Sequence, residues 1–235
     1  MEDQTLDQAV IKAVFDQAAF RGWPDVSLVE AARDANLPVG PVRARFPDKV
    51  AVLLRFGVMA DQMALAGGSN EPAVRERLFD MIMLRFDALQ QHRDGVRALM
   101  ASLRTDPATS TLLYGATLRS MAWLLDAAGL RSGGLLGALR THGLLALWMY
   151  ALRAWEQDDS PDLAATMAAV DRGLDRAIQA EGMWPGRAPP PANDLRANDL
   201  PANDLPASDL PEVQDLPPLA PDVPRDIDPD PSLRV

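Results

Sequence analysis

Apolar residues recur at helical spacing through most of the first 183 positions. Leu6, Val10, Ala13 and Val14 share one face of a first helix, and Leu28, Ala31, Ala32 and Ala35 line a short second one. A third short helix spans 39–45, and Phe46-Pro47-Asp48-Lys49 opens a fourth. Residues 71–91 place Leu78, Met81, Ile82, Arg85, Phe86 and Leu89 on one side, with Pro72 in the first turn and charges opposite. Two mostly apolar helices are predicted over 109–128 and 135–155. The last helix is expected to open at Ser160-Pro161-Asp162, with a capping serine, a proline at the first helical position and acids in the first turn. Leu163, Met167, Val170, Leu174 and Ile178 then follow one face. No stretch alternates with period two long enough for a sheet, so the class is all-α, with about nine helices by this periodicity.

The pattern stops near Gly182. Trp184-Pro185-Gly186 breaks any helix, and four five-residue units follow over 191–195, 196–200, 201–205 and 206–210, each ending in Asp-Leu. A period of five fits neither helix nor strand, and proline at most unit starts removes backbone donors. Residues 184–235 hold 4 basic and 10 acidic residues, and are expected to be a disordered acidic tail serving as a partner-binding or self-inhibitory arm, or as repeat expansion without a specific role.

The 235-residue chain carries a net charge of −10 and has no cysteine, which excludes disulfides, thiolate metal sites and thiol catalysis. Its longest charge-free runs before the tail, 107–118 and 141–152, are 12 residues each, against the roughly 20 that span a bilayer. The acidic start has no apolar signal region. A cytoplasmic protein with no transmembrane segment is expected. His92 and His142 are the only histidines, and no metal or cofactor is expected. His92 falls where a helix ends and a cation is favoured. Asp158-Asp159 reads as helix-start chemistry, and no nucleophile, base and orienting group assemble, so no catalytic residue is assigned and an enzyme is not expected.

The informative segment is 27–53. Ser27 with Glu30 three positions on is a capping box. Asn36 stands where a left-handed residue would turn the chain, since asparagine tolerates that conformation. Two short helices around a tight turn make a helix-turn-helix, and Arg43, Arg45, Lys49 and Arg55 concentrate on or after its second helix. Arginines there could reach base edges or phosphates, and Lys49 the backbone.

The ungapped series Ser27-Leu28, Ala31-Ala32, Ala35-Asn36-Leu37-Pro38, Gly40-Pro41-Val42-Arg43, Phe46, Lys49 and Val52-Leu53, with Phe20-Arg21-Gly22-Trp23 upstream, resembles the N-terminal domain of TetR-type transcriptional regulators. The resemblance implies a helix-turn-helix domain over 1–55 and a helical ligand-binding and dimerisation domain over 56–183, followed by the tail over 184–235. It implies a homodimeric regulator, expected to be a repressor, that binds double-stranded operator DNA and responds to a small apolar or lipid-like ligand. The DNA-facing positions would be Ser27, Val39, Gly40, Pro41, Arg43, Ala44, Arg45 and Lys49. Pro38, Pro41 and Arg43 depart from the family's serine, threonine and tyrosine, which removes two phosphate donors. Residues 1–55 carry 7 basic and 8 acidic residues, a poor balance for a nucleic-acid binder.

In the second domain Met121, Trp123, Trp148 and Met149 are candidates to line an apolar ligand cavity, or are ordinary core. Leu163, Met167, Val170 and Leu174 are expected at a dimer interface, where by the TetR resemblance the last two helices pair with their copies. Segments 75–80, 85–89 and 158–163, with Thr166-Met167 and Asp171-Arg172, also resemble a TetR-fold branch of ubiquinone biosynthesis. That resemblance implies an alternative: an accessory protein that binds isoprenoid lipid and does not act through DNA.

Overall fold

A computed structural model describes residues 2–67 and 73–182. The acidic repeat tail and the proline expected in the first turn of the 71–91 helix lie outside these residues. The described chain is helical: α1 (Glu2–Arg21), a short 3-10 turn (Trp23–Asp25), α2 (Leu28–Asp34), α3 (Val39–Arg45), α4 (Lys49–Ala66), α5 (Val74–Gln90), α6 (Arg93–Ser102), α7 (Pro107–Ala127), α8 (Gly134–Gln157) and α9 (Ala164–Gly182).

Local chemistry sets most of these boundaries. Ser27 Oγ accepts from the Glu30 N–H at 3.4 Å and caps α2. Asn36 adopts φ 54°, and the Leu37 N–H returns to the Ala32 carbonyl at 2.7 Å, which closes the turn before α3. Asp48 caps α4 by accepting from the Ala51 N–H at 2.8 Å. Asp106 caps α7 through the Thr109 N–H and hydroxyl, with Pro107 in the first turn.

The expected start of the last helix is displaced. Leu163 takes φ 53°, and the helix begins at Ala164, so Pro161 lies outside it. The expected serine still caps the helix, since Ser160 Oγ accepts from the Ala164 N–H at 3.0 Å, and the buried Asp158 carboxylate adds to it by accepting from the Thr166 N–H and hydroxyl, both at 2.8 Å, and from Ser160. Burial raises the Asp158 pKa, but these donors together outweigh it and hold the carboxyl at about 2.

His92 also departs from expectation. It is the residue before α6, not a cation at a helix end. Its ring stacks on Phe15 at 5.2 Å and meets Phe56 edge-on at 5.6 Å. Burial lowers its pKa, so the neutral imidazole is the form the fold holds.

One core joins the described helices. Val10, Ile11, Val14 and Phe15 of α1 meet Val42, Val52 and Leu53, while Phe86, Met121, Leu124 and Trp155 continue it through the later helices. α1 packs on α6, α2 and α4, and α4 passes on to α5 and α7 without a break at Arg55. α8 packs between α7 and α9. By length and composition α8 could cross a membrane, although its longest charge-free run is only 12 residues.

Candidate nucleic-acid interface

The turn after α2 holds α3 with its outer side in solvent. Gly40, Pro41, Arg43 and Ala44 are exposed, and Val42 is buried beneath them. Pro38 precedes α3 and offers no side-chain cap, and Pro41 supplies no N–H. Leu28, Val29, Val39, Val42 and Phe46 line a shallow apolar groove between α2 and α3, with Arg43 at its rim. A Cβ added at Gly40 would meet nothing within 4 Å, so a surface can approach this backbone closely.

The three cations expected here have different fates. Arg43 is exposed, with a 3.4 Å bond from Nη1 to the Pro47 carbonyl. Arg45 turns inward: Nε and Nη2 each donate at 2.8 Å to the two oxygens of Asp7. Arg55 Nε joins the same carboxylate at 2.6 Å. Asp7 is fully buried, and the Arg45 hydrogen bond, with that of Arg55, holds its carboxyl below the usual range against the opposing effect of burial. Lys49 donates to the carbonyls of Trp23 (2.9 Å) and Pro24 (2.8 Å), with its ammonium 5.3 Å from the Trp23 ring centroid. It fastens the 3-10 turn to the start of α4. Ser27 likewise works within the fold: besides capping α2, its N–H donates to Gln17 Oε1 at 2.7 Å. Val39 is half-buried in the groove wall.

Asp7 was not a candidate on sequence grounds, because its partners lie 38 and 48 positions away. The signal was its place in the apolar register: three, four and seven residues before Val10, Ile11 and Val14, an acid faces the core.

The second group of candidates divides. Met121 and Trp148 are buried, whereas Trp123 is 66% exposed and Met149 47%. Trp148 stacks on Phe86 with ring centroids 4.5 Å apart, and the Arg85 guanidinium lies 4.8 Å from its ring centroid. Arg85 donates to Asp61, whose other oxygen accepts from the Ser120 hydroxyl at 2.5 Å. This buried group joins α4, α5, α7 and α8 beside two of the four candidates.

The third group faces inward. Leu163, Val170 and Leu174 are buried within the subunit, and Met167 is half-buried. A Cβ on Gly173 would lie 2.7 Å from Leu147 Cγ, which shows how closely α9 sits on α8. The face expected to meet a second copy is thus packed within the subunit, where α9 lies on α8 and α5.

The helix order and arrangement are those of the TetR-type fold. The structure is similar to that of a TetR transcriptional regulator from Nitrosomonas europaea ATCC 19718, with TM-score 0.60 and 20% identity over 74% of this chain and 99% of that one. It is also similar to a TetR transcriptional regulator from Rhodococcus sp. RHA1 (TM-score 0.51, 14% identity, 76% of this chain and 98% of that one). A TetR-family transcriptional regulator from Streptomyces coelicolor aligns with TM-score 0.51 and 19% identity over 76% of this chain and 85% of that one. No family model matches the sequence, and no curated protein does. At these identities the likeness is one of fold.

Proposed function

We propose that this protein is a dimeric transcriptional regulator of the TetR type, which places α3 in the major groove of operator DNA. The observation that carries the reading is the exposed outer side of α3, with Arg43 on it and Gly40 and Ala44 beside it. Arg43 is positioned to meet base edges or phosphate, while Gly40 and Ala44 let the backbone come close. Arg45 and Lys49, bonded inward, support the reading helix instead of contacting DNA. Repression relieved by a small apolar ligand in the α4–α8 body completes the reading, and requires that the ligand prefer one spacing of the two DNA heads.

The test is binding of the purified protein to DNA from its own promoter region and to random DNA, at two salt concentrations. Specific binding that weakens steeply with salt is expected, at about 0.9 log units of affinity per log unit of salt for each neutralised phosphate. Equal affinity for both DNAs overturns the reading.

One observation favours a second reading, a TetR-fold accessory protein that binds isoprenoid lipid and leaves DNA alone. Two of the three candidate cations are engaged by partners within the head, and Pro38 and Pro41 withhold phosphate donors. On this reading native mass spectrometry of the freshly purified protein shows copurified isoprenoid. An empty protein counts against it.

A further inference from the structure

The groove between α2 and α3 combines an apolar lining with a cationic rim. Leu28, Val29, Val39, Val42 and Phe46 line it, and Arg43 stands at its edge. Val29 is 43% exposed. Arg33, one turn beyond Val29 on α2, is exposed as well. A phosphate backbone would answer the cations and leave the apolar lining uncovered. A second copy of the same groove would cover the lining but bring like charges together. Lining and rim together fit an extended segment that carries a leucine beside an acid.

The chain supplies such a pair four times, as Asp194-Leu195, Asp199-Leu200, Asp204-Leu205 and Asp209-Leu210, at the ends of the five-residue units. We infer that an Asp-Leu pair of the chain's own acidic tail docks in the α2–α3 groove and competes there with DNA. The leucine enters the lining, and the acid meets Arg43 or Arg33. Neighbouring side chains of an extended chain diverge, so the leucine can enter the groove while the acid before it stays at the rim. Three observations favour this occupant. Charge is complementary: residues 184–235 hold 4 basic and 10 acidic residues, and the rim is cationic. Length suffices: Leu210 lies 28 positions after Gly182. At full extension that is about 90 Å, further than the roughly 40 Å across a compact domain of this size. Four equivalent pairs on one tether also raise the fraction of time that the groove is occupied.

The inference rests on the reading of α3 as the DNA-reading helix and adds the regulation of that same face. The chain has no cysteine, so Ala207→Cys in the full chain carries a single nitroxide. The methyl NMR resonances of Val29 and Val39 should be broadened by it relative to the reduced label. Leu195→Ser, Leu200→Ser, Leu205→Ser and Leu210→Ser, made together, change only the tail. They should abolish the broadening and tighten promoter binding about 10-fold, given an effective concentration of about 1 mM on such a tether and a dissociation constant of about 0.1 mM for one pair. Broadening that survives the four serines overturns the inference. So does its absence from the parent chain, and a Val29→Ser variant that then loses promoter affinity would assign the lining to DNA. Broadening that the serines abolish, with promoter affinity unchanged, keeps the contact and overturns the competition. If neither chain prefers promoter DNA to random DNA, the regulator reading falls, while the contact, read by NMR alone, stands.

Discussion

His92 and Asp158 both weaken the fold as the pH falls, at different steps. Burial between Phe15 and Phe56 depresses His92, Asp16 opposes this to a smaller extent, and Lys12 adds to it. The unfolded chain takes up a proton near pH 6.5, while the folded chain resists it. Stability is therefore full above that value and falls as the pH drops through it. Melting at pH 7.5 and 5.5 should show a lower Tm at 5.5, and His92→Leu should flatten that difference. An unchanged slope in the variant would assign the titration elsewhere. Asp158 is held at about 2 by Ser160 and Thr166, so its contribution is complete above the usual carboxylate value and disappears only as the pH falls toward 2. Its side chain matters at neutral pH for another reason. Asp158→Ala strands the buried Thr166 N–H and hydroxyl, and should cost about 1–3 kcal/mol in urea unfolding.

At the scale of elements, α6 lies so close to α1 that only glycine fits at position 95. A Cβ there would stand 2.4 Å from the Phe15 carbonyl oxygen and 2.8 Å from its Cβ. Gly95→Ala must push the helices apart, and should destabilise by about 1–3 kcal/mol. Gly115, inside α7 with nothing within 4 Å of an added Cβ, is the control. There alanine should stabilise by up to about 1 kcal/mol, because it restrains the unfolded chain. Equal urea midpoints for the two variants would contradict the packing. Periodicity made most helices legible, because an apolar stripe is a local property. The turn at Asn36 was legible too, from one residue's tolerance of positive φ. The start of α9 was legible only in part: Ser160 caps the Ala164 N–H as expected, but the helix begins after Pro161, and the second cap comes from Asp158, eight positions before Thr166. Nor does a stripe say which neighbour it meets. Leu163, Val170 and Leu174 read as a face for a second copy, and they are buried within the subunit, where α9 packs on α8 and α5. Arg45 read as a DNA contact because its charge is visible in sequence and its pairing with Asp7 is not.

For the whole molecule, α4 connects two buried ionic groups: Arg55 with Asp7 and Arg45 in the head, and Asp61 with Arg85 and Ser120 in the body. The first group decides how the head can meet DNA. Arg45 could reach a phosphate only by leaving a fully buried carboxylate, which would then keep Arg55 as its partner and lose two hydrogen bonds. Arg43 gives up only a 3.4 Å bond to the Pro47 carbonyl. The two arginines should therefore separate affinity from stability. Arg43→Ala should weaken promoter binding by about 1–3 kcal/mol and lower the salt slope by about one, with the urea midpoint unchanged. Arg45→Ala should lower the urea midpoint and leave affinity nearly intact when binding is measured well below unfolding. The reverse pattern would mean that Arg45 exchanges Asp7 for phosphate on binding. No loss of affinity in either variant would mean that α3 is not the reading helix, and that the head is kept as a packing unit in a protein whose ligand is lipid.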